Sequence, residues 1–178
     1  MNTRTLTKIA LMSALISVLS PLSIPLSTAV PISLATFAVM LAGGILGAKA
    51  GALSALIYLV IGFLGFPVFA GGTGGAGTLF GMTGGFLFGY VPLAYLTGLF
   101  SEGDADFKKR VAGMCLGNAV LYLLGTVWFM AWTSSPLSAA LLSCVIPFLP
   151  GDLIKILLAG FISIRVSRAL KESGNGRI

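Results

Sequence analysis

Residues 147–155 read PFLPGDLIK, and they lead into the apolar run LIKILLAGFISI at residues 153–164. Pro150 cannot continue a helix from upstream, but it can stand at the beginning of a new one. The stretch therefore predicts a helix that begins beside Asp152 and Lys155 and is apolar enough to enter a membrane. Side chains three residues apart lie on one face of a helix, so these two charges can pair.

The composition of the whole chain points to the same class of protein. Of its 178 residues, 57% are hydrophobic and 9% are charged, and the mean hydropathy is +1.03. Soluble domains carry about 25% charged residues, so a membrane protein is predicted. The chain contains no histidine, which excludes histidine-dependent catalytic triads and histidine metal sites.

Six apolar runs approach the length of about 17–25 residues that a spanning helix needs. The second and third runs are short and nearly continuous, so residues 47–49 must form a tight turn. We predict an all-α membrane protein with one integral membrane domain over residues 1–178. It is a six-transmembrane-helix bundle with helices at roughly 8–26, 33–48, 50–66, 81–100, 111–132 and 151–170.

Basic residues mark one side of this predicted bundle. Six spans place ten of the 11 Lys and Arg residues on one side, and the positive-inside rule makes that side cytoplasmic. Lys155 is the exception. Both termini are then cytoplasmic in a multi-pass protein of a prokaryotic-type cell membrane. The net charge of +6 thus reflects membrane orientation, and no nucleic-acid partner is expected.

The N-terminus allows an alternative interpretation. Arg4 and Lys8, followed by an apolar run, also resemble a secretory signal. Removing that segment would leave five helices and put the remaining basic loops out of register with the C-terminus. A retained first span is therefore favoured.

A glycine-rich segment follows the third predicted helix on the outer side. Residues 71–77 read GGTGGAG, and glycine permits positive φ and close backbone approach to a polar ligand. Phe69, Leu79 and Phe80 flank the glycines and are predicted to anchor the loop against the bundle. A Walker A motif is excluded, because no glycine in the chain is followed by lysine.

Asp152 and Lys155 form the candidate functional pair. An acid near a helix N-terminus has a structural explanation in the unpaired N–H groups and the dipole there. A lysine opposes that dipole, and a charge in hydrocarbon costs about 2.5–3.5 kcal/mol at the membrane centre. Pairing or snorkelling would relieve the cost without any function. We favour a pocket in which Asp152 accepts hydrogen bonds from ligand N–H groups and Lys155 meets a carbonyl or carboxylate.

Catalysis is not expected from this pair. An intramembrane aspartyl protease needs a second acid within a span, and a rhomboid-type hydrolase needs a histidine. Neither is present in the predicted spans. We therefore predict no catalytic residue, no metal site and no cofactor.

Small residues form a stripe near the cytoplasmic end of the first predicted helix: Ala10, Ser13, Ala14 and Ser17. Small residues at such spacing usually pack helices tightly inside a bundle. The same stripe could dock another membrane protein, and the residues alone favour neither interpretation.

Two segments together carry a family resemblance: GFPVFAGGTGGAGTLFGMTGGFLFGY at residues 65–90 and PFLPGDLIKILLA at residues 147–159. They resemble the biotin-specific S components of energy-coupling-factor (ECF) transporters, the BioY family. Residues 30–65 fit the second and third helices of the same family. The likeness extends over nearly the whole chain, and the combination of motifs is more specific than any one of them.

The resemblance implies a non-catalytic subunit that captures biotin near the outer face and works with a transmembrane coupling subunit and two ABC ATPases. Biotin is then the transported ligand. The Ala10–Ala14 pair, with Ser13 and Ser17, matches the family's docking motif for the coupling subunit. The expected ligand-binding residues are Thr36, Gly71, Gly72, Thr73, Gly74, Gly75, Thr83, Gly84, Gly85, Asp152 and Lys155.

Two positions depart from the family pattern. We expect a glutamine at Ala35 and a proline at Met82. A missing amide at Ala35 removes one hydrogen bond near the site and bears on affinity. Met82 changes how rigidly the following helix begins.

Two other functions compete with biotin capture. A self-sufficient channel or facilitator would use Asp152 and Lys155 as a selectivity element. It needs a continuous polar path, whereas the inner halves of the predicted spans offer only scattered Ser, Thr, Asn118 and Tyr122. A structural subunit whose charged pair only fixes the last helix is the third hypothesis.

Overall fold

The computed structural model describes residues 2–24, 30–103 and 105–175, with side chains as far as residue 170. Arg177 and the side chain of Lys171, both assigned to the cytoplasmic side, lie outside this part. Within it the chain forms eight α-helices: α1 (Thr3–Leu19), α2 (Ala35–Leu46), α3 (Ala48–Phe63), α4 (Ala76–Leu79), α5 (Gly84–Leu99), α6 (Phe107–Thr133), α7 (Leu137–Cys144) and α8 (Leu149–Asn175).

The connections on either side of α2 and α3 contain short regular elements. Strand β1 (Ser23–Ile24) pairs antiparallel with β2 (Ile32–Ser33), immediately before α2. A single 3-10 turn, Ala70–Gly72, precedes α4 in the glycine-rich segment. The two strands and the glycine-rich segment therefore lie next to each other, and Ser23 lies within reach of Gly71.

Each of the six predicted helices corresponds to one helix of the structure: α1, α2, α3, α5, α6 and α8. The predicted end of the first helix at residue 26 was wrong, because α1 ends at Leu19. Pro21 has no N–H to donate and its ring clashes with the preceding turn, so the helix ends before it.

The connection between α6 and α8 also differs from the prediction. The sequence between Thr133 and Pro150 was expected to be a connection, but it contains α7. Ala140 and Cys144 are fully buried on one side of α7, which packs against α6. Apolar packing thus stabilises this segment as a helix. Pro136 lies immediately before its first residue, a position where proline is compatible with a helix.

Glycines bring the long helices close together. A Cβ added at Gly98 on α5 would overlap the backbone of Gly47 and Ala48, and one at Gly85 would overlap Trp128 on α6. At the other end of the same pair, Gly113 of α6 packs against Phe100. The contacts make α5 and α6 antiparallel, and α5 packs on α2, α3 and α6 at the centre of the bundle.

The helices differ in their capacity to cross a membrane. Among the described residues, α6 is the one single helix that is long and apolar enough to cross a membrane. The bent pair of α7 and residues 149–170 meets this requirement together, with a bend of 48° at the break. Helices α2, α3 and α5 are apolar but shorter.

Candidate functional site

The charged pair of the PFLPGDLIK stretch is an ion pair in the interior. Lys155 Nζ lies 3.0 Å from Asp152 Oδ1, and the two residues are 9% and 3% exposed. The ammonium also donates to the Ser33 carbonyl oxygen at 2.7 Å and to Thr36 Oγ1 at 3.2 Å. An ammonium has three protons, so all three hydrogen-bond positions of Lys155 are occupied.

The second oxygen of Asp152 is held by α6. Tyr122 donates its hydroxyl proton to Oδ2 at 2.6 Å, and Asn118 Nδ2 donates to the same oxygen at 3.3 Å. Thr36 Oγ1 lies 3.5 Å from Oδ1 and makes the longest of the carboxylate's contacts. Three helices, α2, α6 and α8, therefore fix one carboxylate, which rigidly orients its acceptor positions.

Helix termini explain why the carboxylate lies here. Asp152 is in the first turn of α8, and Thr36 is in the first turn of α2. The N-termini of both helices thus meet at the site, and their unpaired N–H groups and dipoles stabilise negative charge. Lys155 is in an unfavourable position for the dipole, and its contact with Asp152 compensates for this.

A cavity of about 300 Å³ lies between the ion pair and the glycine-rich segment. A narrower space of about 40 Å³ continues from it to Asp152 and Lys155. Five residues line both spaces: Val30, Pro31, Ser33, Phe86 and Tyr90. Aromatic and apolar walls that converge on a few fixed polar groups are typical of small-molecule sites, and the volume lies at the small end of their range.

The glycine-rich segment covers one side of this cavity. Gly71, Gly72 and Gly75 have φ of 70°, 71° and 87°, a conformation that favours glycine. Gly75 N donates to the Gly62 carbonyl at 2.7 Å, which ties the segment to the end of α3. Gly74 also approaches the backbone of Phe66 too closely for a side chain. The glycines thus shape the loop, while Ala70 and Thr73 line the cavity.

The predicted anchors of the loop differ in burial. Phe69 is 1% exposed and meets Tyr58 edge to face at 5.5 Å, and Leu79 is also buried. Phe80 is 54% exposed and contacts Phe63 and Phe88 at the surface. The anchoring prediction is therefore confirmed: Phe69 and Leu79 hold the loop from the interior, and Phe80 packs against α3 and α5 at the surface.

The two residues immediately before α5 contribute side chains to the cavity. Thr83 and the neighbouring Met82 line it. Gly84 and Gly85 lie against Leu79 and Trp128 instead, where a side chain would not fit. Of the two departures from the family pattern, Met82 therefore faces the cavity, whereas Ala35 is fully buried beside Ser33, whose Oγ accepts from its N–H.

Four polar residues of the site are absent from the sequence-based prediction: Ser33, Tyr90, Asn118 and Tyr122. The sequence-based prediction counted Asn118 and Tyr122 only among scattered polar residues of the spans, but both contact Asp152. Their spacing of four residues on one face of α6 is the signal that could have identified them. Asn118 Oδ1 is buried and has no partner within the described residues.

The small-residue stripe of α1 is divided between two environments. Ala10 and Ala14 are exposed. Ser13 is 2% exposed and donates to the Ile9 and Ser54 carbonyls, which fixes α1 against α3. Ser17 is half-buried and donates to the Ser13 carbonyl. A partner would therefore meet the two alanines, whereas Ser13 is occupied inside the bundle.

Comparisons with known proteins agree with the resemblance in the sequence. The model of the BioY family matches residues 1–172. The biotin transporter BioY2 of Lactococcus lactis subsp. cremoris is 39% identical over 172 residues, which cover 94% of this chain and 92% of that protein. The biotin transporter BioY of Rhodobacter capsulatus is 37% identical over 178 residues, with coverages of 93% and 94%.

A solved structure extends the similarity to three dimensions. It is a crystal structure of the S-component for biotin from an ECF-type ABC transporter. The TM-score is 0.86 at 31% sequence identity, over 94% of this chain and 95% of that chain.

Proposed function

The chain belongs to the BioY family, and we propose that it captures biotin at the Asp152–Lys155 end of the bundle as the substrate-binding subunit of an ECF-type ABC importer. One observation carries the placement of the site. The buried ion pair lies at the end of a narrow extension of the cavity beneath the glycine-rich segment.

Biotin has the chemistry that this cavity would select. Its ureido ring carries two N–H donors and one carbonyl acceptor, and its sulfur ring and side chain are apolar. The ureido group enters the narrow extension, where Asp152 accepts from N–H and Lys155 approaches the carbonyl. The Thr36 contact to Asp152 is the longest at 3.5 Å, so a ligand N–H replaces it at the lowest cost.

The apolar and outer parts of the ligand meet the remaining walls. Phe86, Leu87 and Phe69 line the wider cavity and bury the sulfur ring. The carboxylate of the side chain then lies near Thr73 and the glycine-rich backbone, whose N–H groups suit an anion. Gly71, Gly72 and Gly75 act through the shape of this loop, and Gly84 and Gly85 through the position of α5.

The wider assembly follows from the family. Helices α1, α2, α3, α5, α6 and α8 are the six spans, and both termini face the cytoplasm. Ala10 and Ala14 are the exposed part of the face that docks the coupling subunit, and two ABC ATPases drive transport. This chain performs no catalytic step and needs no cofactor or metal.

The packing of the bundle favours capture over a channel. Among the described residues, Met40, Leu93, Met114 and Leu121 are at most 1% exposed and fill the centre of the bundle. A hydrated path past the ion pair would have to displace these apolar side chains, which costs free energy. Release to the cytoplasm therefore requires rearrangement within the complex.

Titration of the purified chain with biotin in nanodiscs, followed by calorimetry, tests the proposal. We expect binding of one biotin per chain, and a loss of at least about 100-fold in Asp152→Asn, because a charged hydrogen-bond acceptor is removed from a buried site. Asp106→Asn is the matched control. Asp106 accepts from Lys109 N at the start of α6, and asparagine caps helices equally well.

Three outcomes separate the hypotheses. Tight binding that Asp152→Asn abolishes and Asp106→Asn preserves supports capture at this site. Tight binding that survives Asp152→Asn would refute the placement but not the function. Biotin flux through liposomes that contain the chain alone would support the facilitator instead.

A further inference from the structure

A second cavity of about 240 Å³ lies at the opposite end of the bundle. Residues from α1, α6 and α8 line it together with the turn between α2 and α3. Ser167 on this cavity is 15 residues beyond Asp152 on α8, which places it about 22 Å from the ion pair at 1.5 Å per residue. The two cavities are thus separate features.

Arg110 is a buried cation on this second cavity. It is 5% exposed, and its guanidinium donates to the Gly44 carbonyl at 2.6 Å, the Ala105 carbonyl at 3.2 Å and Ser167 Oγ at 3.4 Å. Every one of these partners is neutral. No ion pair of Arg110 occurs within residues 2–24, 30–103 and 105–170.

The hydrogen bonds of Arg110 use part of its guanidinium. They involve Nε and Nη1, while Nη2 has no hydrogen-bond partner in the described part of the chain. The buried side-chain atoms without a partner in this part of the chain are Thr97 Oγ1, Asn118 Oδ1 and Thr126 Oγ1, and Nη2 is not one of them. The cavity that Arg110 lines is the space available to the two donors of Nη2.

The other charges on the cavity leave it positive. Lys8 lines it and is half-buried, without a hydrogen bond to any described residue. Glu102 also lines it, but its Oε1 accepts from Ala48 N, the first N–H of α3, so that carboxylate caps a helix. Arg168 lies close enough to act on the charge of Arg110. Among the described residues, two cations thus face one carboxylate that is already engaged.

We propose that this cavity binds a phosphate group, held by Arg110 and Lys8, either on a phospholipid headgroup or as free phosphate. A guanidinium with two free donors matches the oxygens of a phosphate, and a neighbouring ammonium adds charge without demanding geometry. The orientation given above places the cavity level with the inner-leaflet headgroups. Only the lipid source rests on that orientation, and phosphate binding itself is independent of biotin capture.

The test compares two lysines that differ in their relation to the cavity. Calorimetry in a non-ionic detergent measures the Kd for dihexanoyl phosphatidic acid and for inorganic phosphate. Lys8→Gln should weaken both by about tenfold or more, since it removes a charge-assisted contact. The exposed Lys108 does not line the cavity, so Lys108→Gln should change the Kd by at most about fivefold.

Glu102→Gln supplies a test of opposite sign. Glutamine keeps the carbonyl oxygen that accepts from Ala48 N, so the helix cap is retained, but the negative charge is removed. Phosphate should therefore bind several-fold more tightly, by about two- to fivefold. Weaker binding in this variant would overturn the proposal, because loss of a nearby negative charge should favour any anion bound in the cavity.

The outcomes also identify the source of the phosphate. Binding of both probes with equal affinity supports a free-ion site, and binding of phosphatidic acid alone supports a headgroup site. Absence of binding to either probe, or equal effects of Lys8→Gln and Lys108→Gln, would contradict the proposal. Acetate binding as tightly as phosphate would do so as well, and would favour a carboxylate from a partner protein.

Discussion

Lys155 and Arg110 are both buried cations, one at each end of the same bundle, and they differ in how their charge is balanced. The Lys155 ammonium donates its three hydrogen bonds to Asp152, Ser33 and Thr36, and the Asp152 carboxylate neutralises its charge. Arg110 has neutral partners for part of its guanidinium and no carboxylate at ion-pair distance among the described residues. Within the described part of the chain, one end is thus neutral with every donor engaged, and the other retains charge and free donors.

The difference indicates what each end can bind. A saturated ion pair exchanges individual hydrogen bonds with a neutral polar group such as a ureido ring, and little charge has to be moved. A guanidinium without a counter-ion is stabilised most by an anion, because no carboxylate offsets the desolvation penalty of its burial. Replacing each cation is therefore expected to change the stability of the protein by a different amount.

Lys155→Met should have the largest effect on stability. Removing the ammonium leaves Asp152, which is 3% exposed, as a buried carboxylate without a counter-ion. Breaking a buried pair in this way costs about 3–5 kcal/mol of unfolding free energy. Unfolding in a denaturing detergent measures the loss. Asp152→Asn/Lys155→Met should recover part of it, and a double variant no more stable than the single one would contradict the neutralisation argument.

Arg110→Gln should have a smaller effect on stability, about 1–3 kcal/mol. No carboxylate of the described residues loses an ion pair, and the main loss is the hydrogen bond to the Gly44 carbonyl near the end of α2. The same unfolding measurement applies, with Lys108→Gln as the control for an exposed cation. A loss as large as that of Lys155→Met would show that Arg110 has an ionic partner after all.

Tyr122→Phe tests the hydrogen bond that holds Asp152 from α6. The hydroxyl donates to Oδ2 at 2.6 Å, and its removal frees the carboxylate to move. We expect biotin to bind about tenfold more weakly, because a hydrogen bond to a charged group contributes about 1.5 kcal/mol or more. Tyr95→Phe, at a side chain that is 42% exposed on α5, is the control in the same calorimetric titration. An unchanged Kd in Tyr122→Phe would show that this hydrogen bond does not contribute to biotin binding.

Thr36→Val should have the smallest effect on biotin affinity. Within the described part of the chain, the Thr36 hydroxyl makes two long contacts, at 3.2 Å to Lys155 and 3.5 Å to Asp152, and the ligand is expected to replace the second. The Kd should rise by about fivefold at most. Thr126→Val, which removes a buried hydroxyl without a partner in the described residues, serves as the reference. A loss of more than tenfold in Thr36→Val would make Thr36 a direct ligand contact.

Local sequence patterns were sufficient for the class of the fold and for the ion pair. Apolar runs predicted the six long helices, and the spacing of Asp152 and Lys155 predicted their contact, because both depend on residues close in the chain. The end of α1 could also have been read from Pro21. Helix α7 could not, because its burial against α6 decides its conformation.

The sequence by itself thus determined a helical membrane protein of the BioY family with a charged pair at the start of its last helix. Only the tertiary structure decided that Asn118 and Tyr122 hold Asp152. It also decided that Arg110 reaches Gly44, 66 residues away in the chain, without a counter-ion among the residues that the structure describes. The physical reason is the range of the interactions. Helix formation and the three-residue pairing are local, whereas the hydrogen-bond partners of a buried charge depend on which helices meet around it.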